Sequence, residues 1–443
     1  MRNGRDHDLN VIYVHSHDTG RQITPYGLGD GTPNLQKLAE RGIVFRQAFS
    51  AAPTCSPSRS ALLTGMVPHS NGMLGLVHRG FRLQDYHKHL VRYLNAHGYE
   101  TALSGVQHEA RDVKDIGYKK IIGQLLESKR WNSGHLDDLD NAQHVAQFIK
   151  GKHELPYFLS FGLFSTHRPF PNADVDEKYV RPPFPLPDVA ATRQDYAQFL
   201  TSVRVVDKCV GIVMEALQES GQVNDTLVIY TTDHGMAFPG MKATLYDTGI
   251  GVSLIVKPPD GSGPAGVVSD ALVSHLDVFP TLCDLLDLPK PEWLQGQSLG
   301  PVLFGDKSSV HDAVFAETNY HAAYEPMRCI RTDRYKFIRR YRAGVVSANI
   351  DDSDSKTFLY DQGYTDMYAN ETEELYDLHL DPSERINLAH SPEHQHIRTR
   401  LVNRLQQWMV STNDPILHGR IAKPPGTIVN TVDCYSPDDS RFE

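Results

Sequence analysis

The order of apolar runs predicts an α/β protein: a large mixed, mostly parallel sheet sandwiched by helices, followed by a smaller α+β domain. Three observations carry this. β-rich apolar runs alternate with segments of helical period through the first three hundred residues. Near residue 310 the texture changes to short alternating runs. A chain of 443 residues, 40% hydrophobic and 22% charged, supplies enough apolar surface for a large core and two domains. The predicted domains are 1–309 and 310–443.

"NVIYVHS" (10–16) is β-branched and aromatic, hence a strand, and it ends in the polar turn "HDTG". "TPNLQKLAERG" (32–42) reads as a helix with Thr32 as N-cap, Pro33 at the first helical position and Gly42 as the stop. "IVFRQAF" follows as a strand. A helix around "HLVRYLNAHG" (89–98), a short strand "ETALSG" and a strong strand "PYFLSFGLFS" (156–165) continue the alternation. A long amphipathic helix over 193–220 leads into the strand "DTLVIYTTDHG" (225–235). "GVSLIVKPP" (251–259) is the next strand and "SHLDVFPTLCDLLDL" (274–288) the next helix, with "KPPDGSGPAG" (257–266) a surface loop. Beyond residue 310, "AVFAETNY", "MRCIRTDRYKFIRRY" and "ELYDL" read as antiparallel strands, and "HIRTRLVNRLQQWMVS" (396–411) as a covering helix.

A formal charge of -10 without a dense basic block argues against nucleic acid or an anionic membrane as partner, while leaving room for a small anionic substrate in a locally positive pocket. No apolar run reaches the roughly 18 residues of a membrane span, and the first residues lack a signal-peptide pattern, so the chain as given reads as cytoplasmic. Five scattered cysteines, Cys55, Cys209, Cys283, Cys329 and Cys434, without CxxC spacing indicate neither a disulfide framework nor a zinc knot.

Three strands end in ionisable clusters: "HSHDTG" with His15, His17 and Asp18, "STHRP" with His167 and Arg168, and "TTDHG" with Asp233 and His234. Any single ending is as well explained by a turn or a helix cap. In a parallel sheet, however, such ends converge on one rim. An Asp/His pair from each of two strands then suits a divalent ion. Imidazole with carboxylate favours Mn, Zn or Fe over an oxygen-only Ca site; spacing alone leaves two separate salt-bridged histidines open. The stretch "PTCSPSRSALLTG" (53–65) adds a fourth group. Cys55 stands at a helix start, where the dipole favours an anion, and Arg59 lies one turn on. The plainer alternative is a buried structural thiol.

"CSPSR" followed by "LLTG" matches the C-x-P-x-R signature and resembles the type I, formylglycine-dependent sulfatases of the alkaline phosphatase superfamily. "FSTHRPF", "NDTLVIYTTDHG", "RTDRYKFI" and "ELYDLHLDPSERINLA" are similar to sulfatase segments in family order. "SNGMLGL" and "YEPMR" look most like the sulfamidase (heparan N-sulfatase)-like branch. The resemblance implies an alkaline phosphatase/sulfatase-like fold, formylglycine formed from Cys55 by a formylglycine-generating enzyme, and one divalent metal ion, Mn or Ca ahead of Zn or Fe.

Position by position, the resemblance makes Cys55 the nucleophile precursor and a metal contact, and Arg59 the residue holding it. His108 becomes the group that receives the hydrate's proton, His167 and Lys242 sulfate contacts, and Asp18, Asp233 and His234 metal ligands. Two departures stand out: His17 falls where the family has the first Asp of a pair, and Val106 where it has a lysine. His17 as an imidazole donor shifts the expectation from Ca toward Mn; Val106 removes a charge aimed at the sulfate. His15 is either a support of the metal site or core. His78, Arg79, Tyr320 and His321 are further substrate-contact candidates, each also explicable by packing or surface pairing.

The expected activity is hydrolysis of a sulfate ester or sulfamate of a sugar or other small organic molecule. The alternatives are a phosphonate monoester or phosphodiester hydrolase of the same family, and a catalytically silent sugar-binding relative. A homo-oligomer is compatible with the sequence.

Overall fold

The computed structural model describes residues 9–27, 31–125, 134–365 and 372–443. Nine strands form one sheet: β1 (Asn10–Ser16), β2 (Ile43–Phe49), β3 (Glu100–Gly105), β4 (Lys120–Leu125), β5 (Tyr157–Gly162), β6 (Thr226–Thr232), β7 (Gly251–Val252), β8 (Leu254–Lys257) and β9 (Val267–Ser274). The order across the sheet is β4-β3-β5-β1-β6-β8-β2. β7 continues the edge of β8 along β2, and β9 pairs with β2 in parallel. β8 runs antiparallel to both β6 and β2, so β2 points the same way as β6 and β1. The carboxyl ends of β1, β2, β3, β5 and β6 therefore share one rim, where sites of open α/β sheets collect.

Alternation of side chains along the strands builds two cores. Ile12 and Val14 of β1, with Val228 and Tyr230 of β6, face the helices Pro33–Glu40, Gly134–Ile149 and Ala190–Glu219. Val11, Tyr13, Leu227 and Ile229 face the other side, against Cys55–Thr64, Leu90–Ala96 and Val278–Leu285.

Local details differ from the sequence reading for identifiable reasons. Thr32 precedes the Pro33–Glu40 helix, but its hydroxyl accepts from the Thr24 amide; the Asn34 and Leu35 amides go instead to Asp207 on the long helix. The run 251–259 breaks at Ser253, whose amide is bound by the Gly20 carbonyl at 3.0 Å. The helix expected over 274–288 opens with a 3-10 turn, His275–Asp277, capped by Ser274, and becomes α-helical at Val278.

The second sheet is antiparallel in chain order: β10 (Ala313–Tyr320), β11 (Tyr324–Thr332), β12 (Tyr335–Arg340) and β13 (Glu373–Asp377). Ile330, Phe337 and Leu375 meet Ile397, Leu401, Leu405 and Met409, spaced four apart on the helix Gln395–Ser411. Full burial of one such leucine contributes roughly 1.5–3 kcal/mol. The opposite face, with Ala316, Cys329, Ile338 and Tyr376, packs on Phe49, Leu245 and Ile250 of the larger sheet region. All five cysteines are free and buried. Among the described residues, no helix is long and apolar enough to cross a membrane.

Candidate active site

The strand ends converge as the topology requires. β1 delivers His17 and Asp18, β6 delivers Asp233 and His234, and the loop after β2 delivers Cys55 as the first residue of the helix Cys55–Thr64. Asp18 sits at φ 47°, in the left-handed region, and its amide donates to Asp233 Oδ1 at 2.8 Å, so the two strand ends are tied directly. After β6 the chain passes Gly235, where a Cβ would lie 1.8 Å from the Thr248 carbonyl oxygen; only glycine allows that approach.

Ligand atoms of His17, Asp18, Cys55 and Asp233 lie within 4.8 Å of one another, and His17, Cys55 and His167 form an overlapping group. His17 Nδ1 is 3.2 Å from Asp233 Oδ2, and His234 Nε2 is 3.2 Å from Asp18 Oδ1. His234 Nδ1 donates to its neighbour's carbonyl, Gly235 O, at 2.9 Å, which leaves Nε2 as the lone-pair nitrogen facing the cluster.

This group fits a divalent ion. All four side chains of the His17, Asp18, Asp233 and His234 set are buried, and His17 Nδ1, His17 Nε2 and Asp18 Oδ1 have no hydrogen-bond partner among the described residues. Burial alone would hold both imidazoles neutral. Asp233 and Asp18 outweigh it and push His17 up to about 10 and His234 up to about 9, so the cluster demands positive charge at its centre.

Cys55 is buried at the floor of a cleft of about 550 Å³. Burial disfavours its thiolate, but Lys242, His234 and hydrogen bonds from His108 and His167 prevail, and the thiol lies well below its ordinary range. His234 Nε2 is 3.4 Å from Cys55 Sγ. The His108 and His167 rings both stand edge-on to His17, with centroids 4.7 and 5.1 Å away. Burial pushes His108 down to about 3, leaving it neutral and able to accept a proton. His167 donates from Nδ1 to the Arg168 carbonyl, which turns its other nitrogen toward the thiol. Lys242 stands between Asp18 Oδ2 at 2.9 Å and Asp351 Oδ2 at 3.0 Å.

The structure thus gathers Cys55, His108, His167, Lys242, His17, Asp18, Asp233 and His234 at one place. Arg59 sends its guanidinium to Asp233 Oδ2, the Ser16 carbonyl and His15 Nδ1, within electrostatic reach of Cys55. His15, kept neutral by burial and Arg59, supports that arginine. Val106 is buried and apolar, its amide bound to Gly162 O at 2.8 Å. His78, Arg79 and His321 line the cleft. Tyr320 does not: it packs against Phe81 and Tyr324, and its hydroxyl donates to Ile421 O at 2.6 Å.

Three further residues shape the site. Asp351 pairs with Lys242 from the smaller region. Asp138, on the helix Gly134–Ile149, accepts from the Phe164 and Ser165 amides at 2.8 Å each and holds the loop that carries His167. Asp195 takes both Arg168 nitrogens at 2.7 and 2.8 Å. The stretch "DDSD" (351–354) and lone acids on helices carry no distinctive spacing; only their tertiary partners reveal them.

A mixed sheet with a thiol, four imidazoles and a cation-demanding carboxylate pair at its carboxyl rim has the make-up of a hydrolase site. The family model described as Sulfatase matches residues 9–288, and that described as N-sulphoglucosamine sulphohydrolase, C-terminal, matches 240–358. The chain is 30% identical over 441 residues to human N-sulphoglucosamine sulphohydrolase, covering 87% of this chain and 86% of that one. Its fold is shared by a protein solved in complex with its substrate D-glucosamine-2-N,6-O-disulfate, at TM-score 0.70 and 19% identity over 92% of this chain and 98% of that one. The phosphonate monoester hydrolase of Agrobacterium radiobacter has the same fold at TM-score 0.69 and 20% identity, covering 94% and 100%. The chain belongs to the sulfatase family and is a sulfuric ester hydrolase of the sulfatase or sulfamidase type.

Proposed function

We propose that this protein releases sulfate from a sulfate ester or sulfamate of a sugar, with a formylglycine derived from Cys55 as nucleophile and a divalent ion held by His17, Asp18, Asp233 and His234. The observation that carries the reading is the position of Cys55: at a helix start, at the floor of the cleft, 3.4 Å from His234 and hydrogen-bonded to His108 and His167. When present, the ion supplies Lewis-acid polarisation of a sulfo oxygen, and the hydrated aldehyde supplies an oxygen nucleophile able to let sulfate go.

The chain's own groups do the rest. Lys242 and, once protonated, His167 neutralise non-bridging oxygens at the cleft floor, and neutral His108 takes the proton that must leave residue 55. Arg59 balances Asp233 from below. Residues 1–309 act as the catalytic domain, and 310–443 contribute His321 and Asp351 to the cleft wall.

The test is the mass of the proteolytic peptide carrying Cys55, from protein made with a formylglycine-generating enzyme, together with turnover of sulfamate, sulfate-ester and phosphonate substrates. The expected result is aldehyde in place of thiol and turnover of sulfated sugar, falling about 10⁴-fold or more in Cys55→Ala. Faster turnover of the phosphonate would favour the phosphonate hydrolase reading; an unmodified, fully active thiol would overturn the nucleophile.

A further inference from the structure

The cleft has two chemically different ends. Its floor holds Cys55, His108, His167 and Lys242. Its wall holds the buried His321 and the partly buried Asp351, both beside Lys242, and its outer rim the exposed Asp352, Asp354 and Asp438, so the substrate's remaining body must lie between wall and mouth. Among the described residues, the Lys and Arg side chains lining the cleft are Arg79, Arg168 and Lys242, and all are engaged. Arg79 donates to Asn430 Oδ1 at 2.6 Å and Pro437 O at 2.7 Å, Arg168 is held by Asp195, and Lys242 lies between Asp18 and Asp351. Asp352 meets Lys356 at 2.7 Å and Asp438 lies within electrostatic reach of Arg79, while Asp354 has no ion pair among the described residues, so the exposed acids outnumber the cation facing them. The mouth is therefore anionic.

A second, independent feature marks it as a ligand surface. His321 is only 6% exposed, faces the cleft, and its Nδ1 has no hydrogen-bond partner among the described residues. Burial pushes it down to about 3, so the ring is neutral, with one nitrogen to donate and one to accept. A neutral imidazole suits a hydroxyl; an anion would call for a cation with donors to spare, and among the described residues those of Arg79 are spent on Asn430, Pro437 and Ala322.

Resting on the sulfatase reading above, we infer that the mouth selects a sugar ring with a single sulfo group and otherwise hydroxyl or amino substituents. His321 is its hydrogen-bonding specificity residue, and Asp354 and Asp438 reject a second anionic group on the same ring. Like-charge juxtaposition discriminates between partners even where attraction adds little.

The experiment compares glucosamine N-sulfate with D-glucosamine-2-N,6-O-disulfate on the matured, Mn-supplemented full chain, reading kcat/KM, and measures binding of both sugars to Cys55→Ala by calorimetry. The monosulfate is expected to be preferred about tenfold or more in both assays, a margin typical of one repelled charge. The double variant Asp354→Asn, Asp438→Asn should narrow it by about threefold or more, and added salt should do the same. His321→Ala should raise KM for the monosulfate more than it lowers kcat, with His321→Gln recovering part of the loss.

Equal or better binding of the disulfate, or a ratio unmoved by the double variant, overturns the inference. Preferential binding of the monosulfate without turnover of either sugar would overturn the sulfatase reading while leaving the selectivity of the mouth standing.

Discussion

Chelation of the proposed divalent ion tests the cluster of His17, Asp18, Asp233 and His234 most directly. These four side chains are buried, and three of their atoms lack a hydrogen-bond partner, so an ion bound there stabilises the folded chain and has no equivalent site when the chain unfolds. At a free concentration one hundred times Kd, binding adds about 2.7 kcal/mol. An unfolding entropy of about 2.1 cal/mol/K per residue gives ~0.9 kcal/mol/K for 443 residues, so chelation should lower Tm by about 3 °C. Two imidazoles among the donors favour a borderline ion, so Mn should restore Tm at lower concentration than Ca. His17→Asp replaces one nitrogen donor by oxygen and should narrow or reverse that order. The assay is scanning calorimetry after chelation and dialysis, with each ion titrated back. An unchanged Tm on chelation, or Ca acting at lower concentration than Mn on the unaltered chain, would refute the reasoning.

Two further outcomes follow from residues away from the ion site. His89 is fully buried and caps the Leu90–Ala96 helix by accepting from the Val91 amide at 3.2 Å; burial, then the Arg92 charge, push it down to about 3. The unfolded chain takes up that proton near pH 6.5 and the folded chain does not, so stability should fall by about 1.4 kcal/mol per unit as pH drops from about 6.5 toward 3. His89→Asn keeps a cap acceptor without the titration, and urea unfolding across that range should show a flatter acid limb; superimposable curves would contradict this. Tyr320→Phe should cost about 1–3 kcal/mol in the same assay by leaving the Ile421 carbonyl unpaired, with kcat/KM unchanged within about twofold. A tenfold loss of kcat/KM at unchanged stability would instead put that hydroxyl at the substrate.

Strands buried on both faces were legible because their sequences are continuous apolar runs: β1 has the expected bounds, and β6 begins one residue later and ends three residues earlier than expected. β4, "KIIGQL", is mostly exposed and bends through Gly123 at φ 66°, and β9 is exposed over its first half, so neither carries a strong local pattern. Each is a strand because of what it pairs with. The same division holds at the site. His17, Asp18, Asp233, His234 and Cys55 were recognisable as strand-end and helix-start groups, since one topological rule gathers them. Lys242 lies in a loop without period and was found through the family resemblance alone. Asp351 arrives from the smaller region, in the stretch "DDSD" (351–354), which carries no motif. Tyr320 and His321 were grouped because they are adjacent; at a strand end adjacency puts side chains on opposite sides, one in the core and one on the cleft.

Arg59 shows how the helix that carries Cys55 is tied to the strands that carry the carboxylates. From one turn into the helix, its Nε and Nη2 both reach Asp233 Oδ2 at 3.1 Å, Nη2 also reaches the Ser16 carbonyl at 3.2 Å, and Nη1 meets His15. Ser58, one residue earlier, donates to the Asp233 carbonyl at 2.6 Å. Helix start, β1 end and β6 end are thus fixed to one another by a buried guanidinium and a hydroxyl, rather than by the group at residue 55. A conversion of Cys55 therefore changes the reacting atom without loosening these ties. Arg59 also balances one carboxylate of the cluster while Lys242 balances the other, so Asp18 and Asp233 each keep a permanent cation on their outer side and direct their remaining negative charge inward, to the place where an ion and a sulfo group would meet.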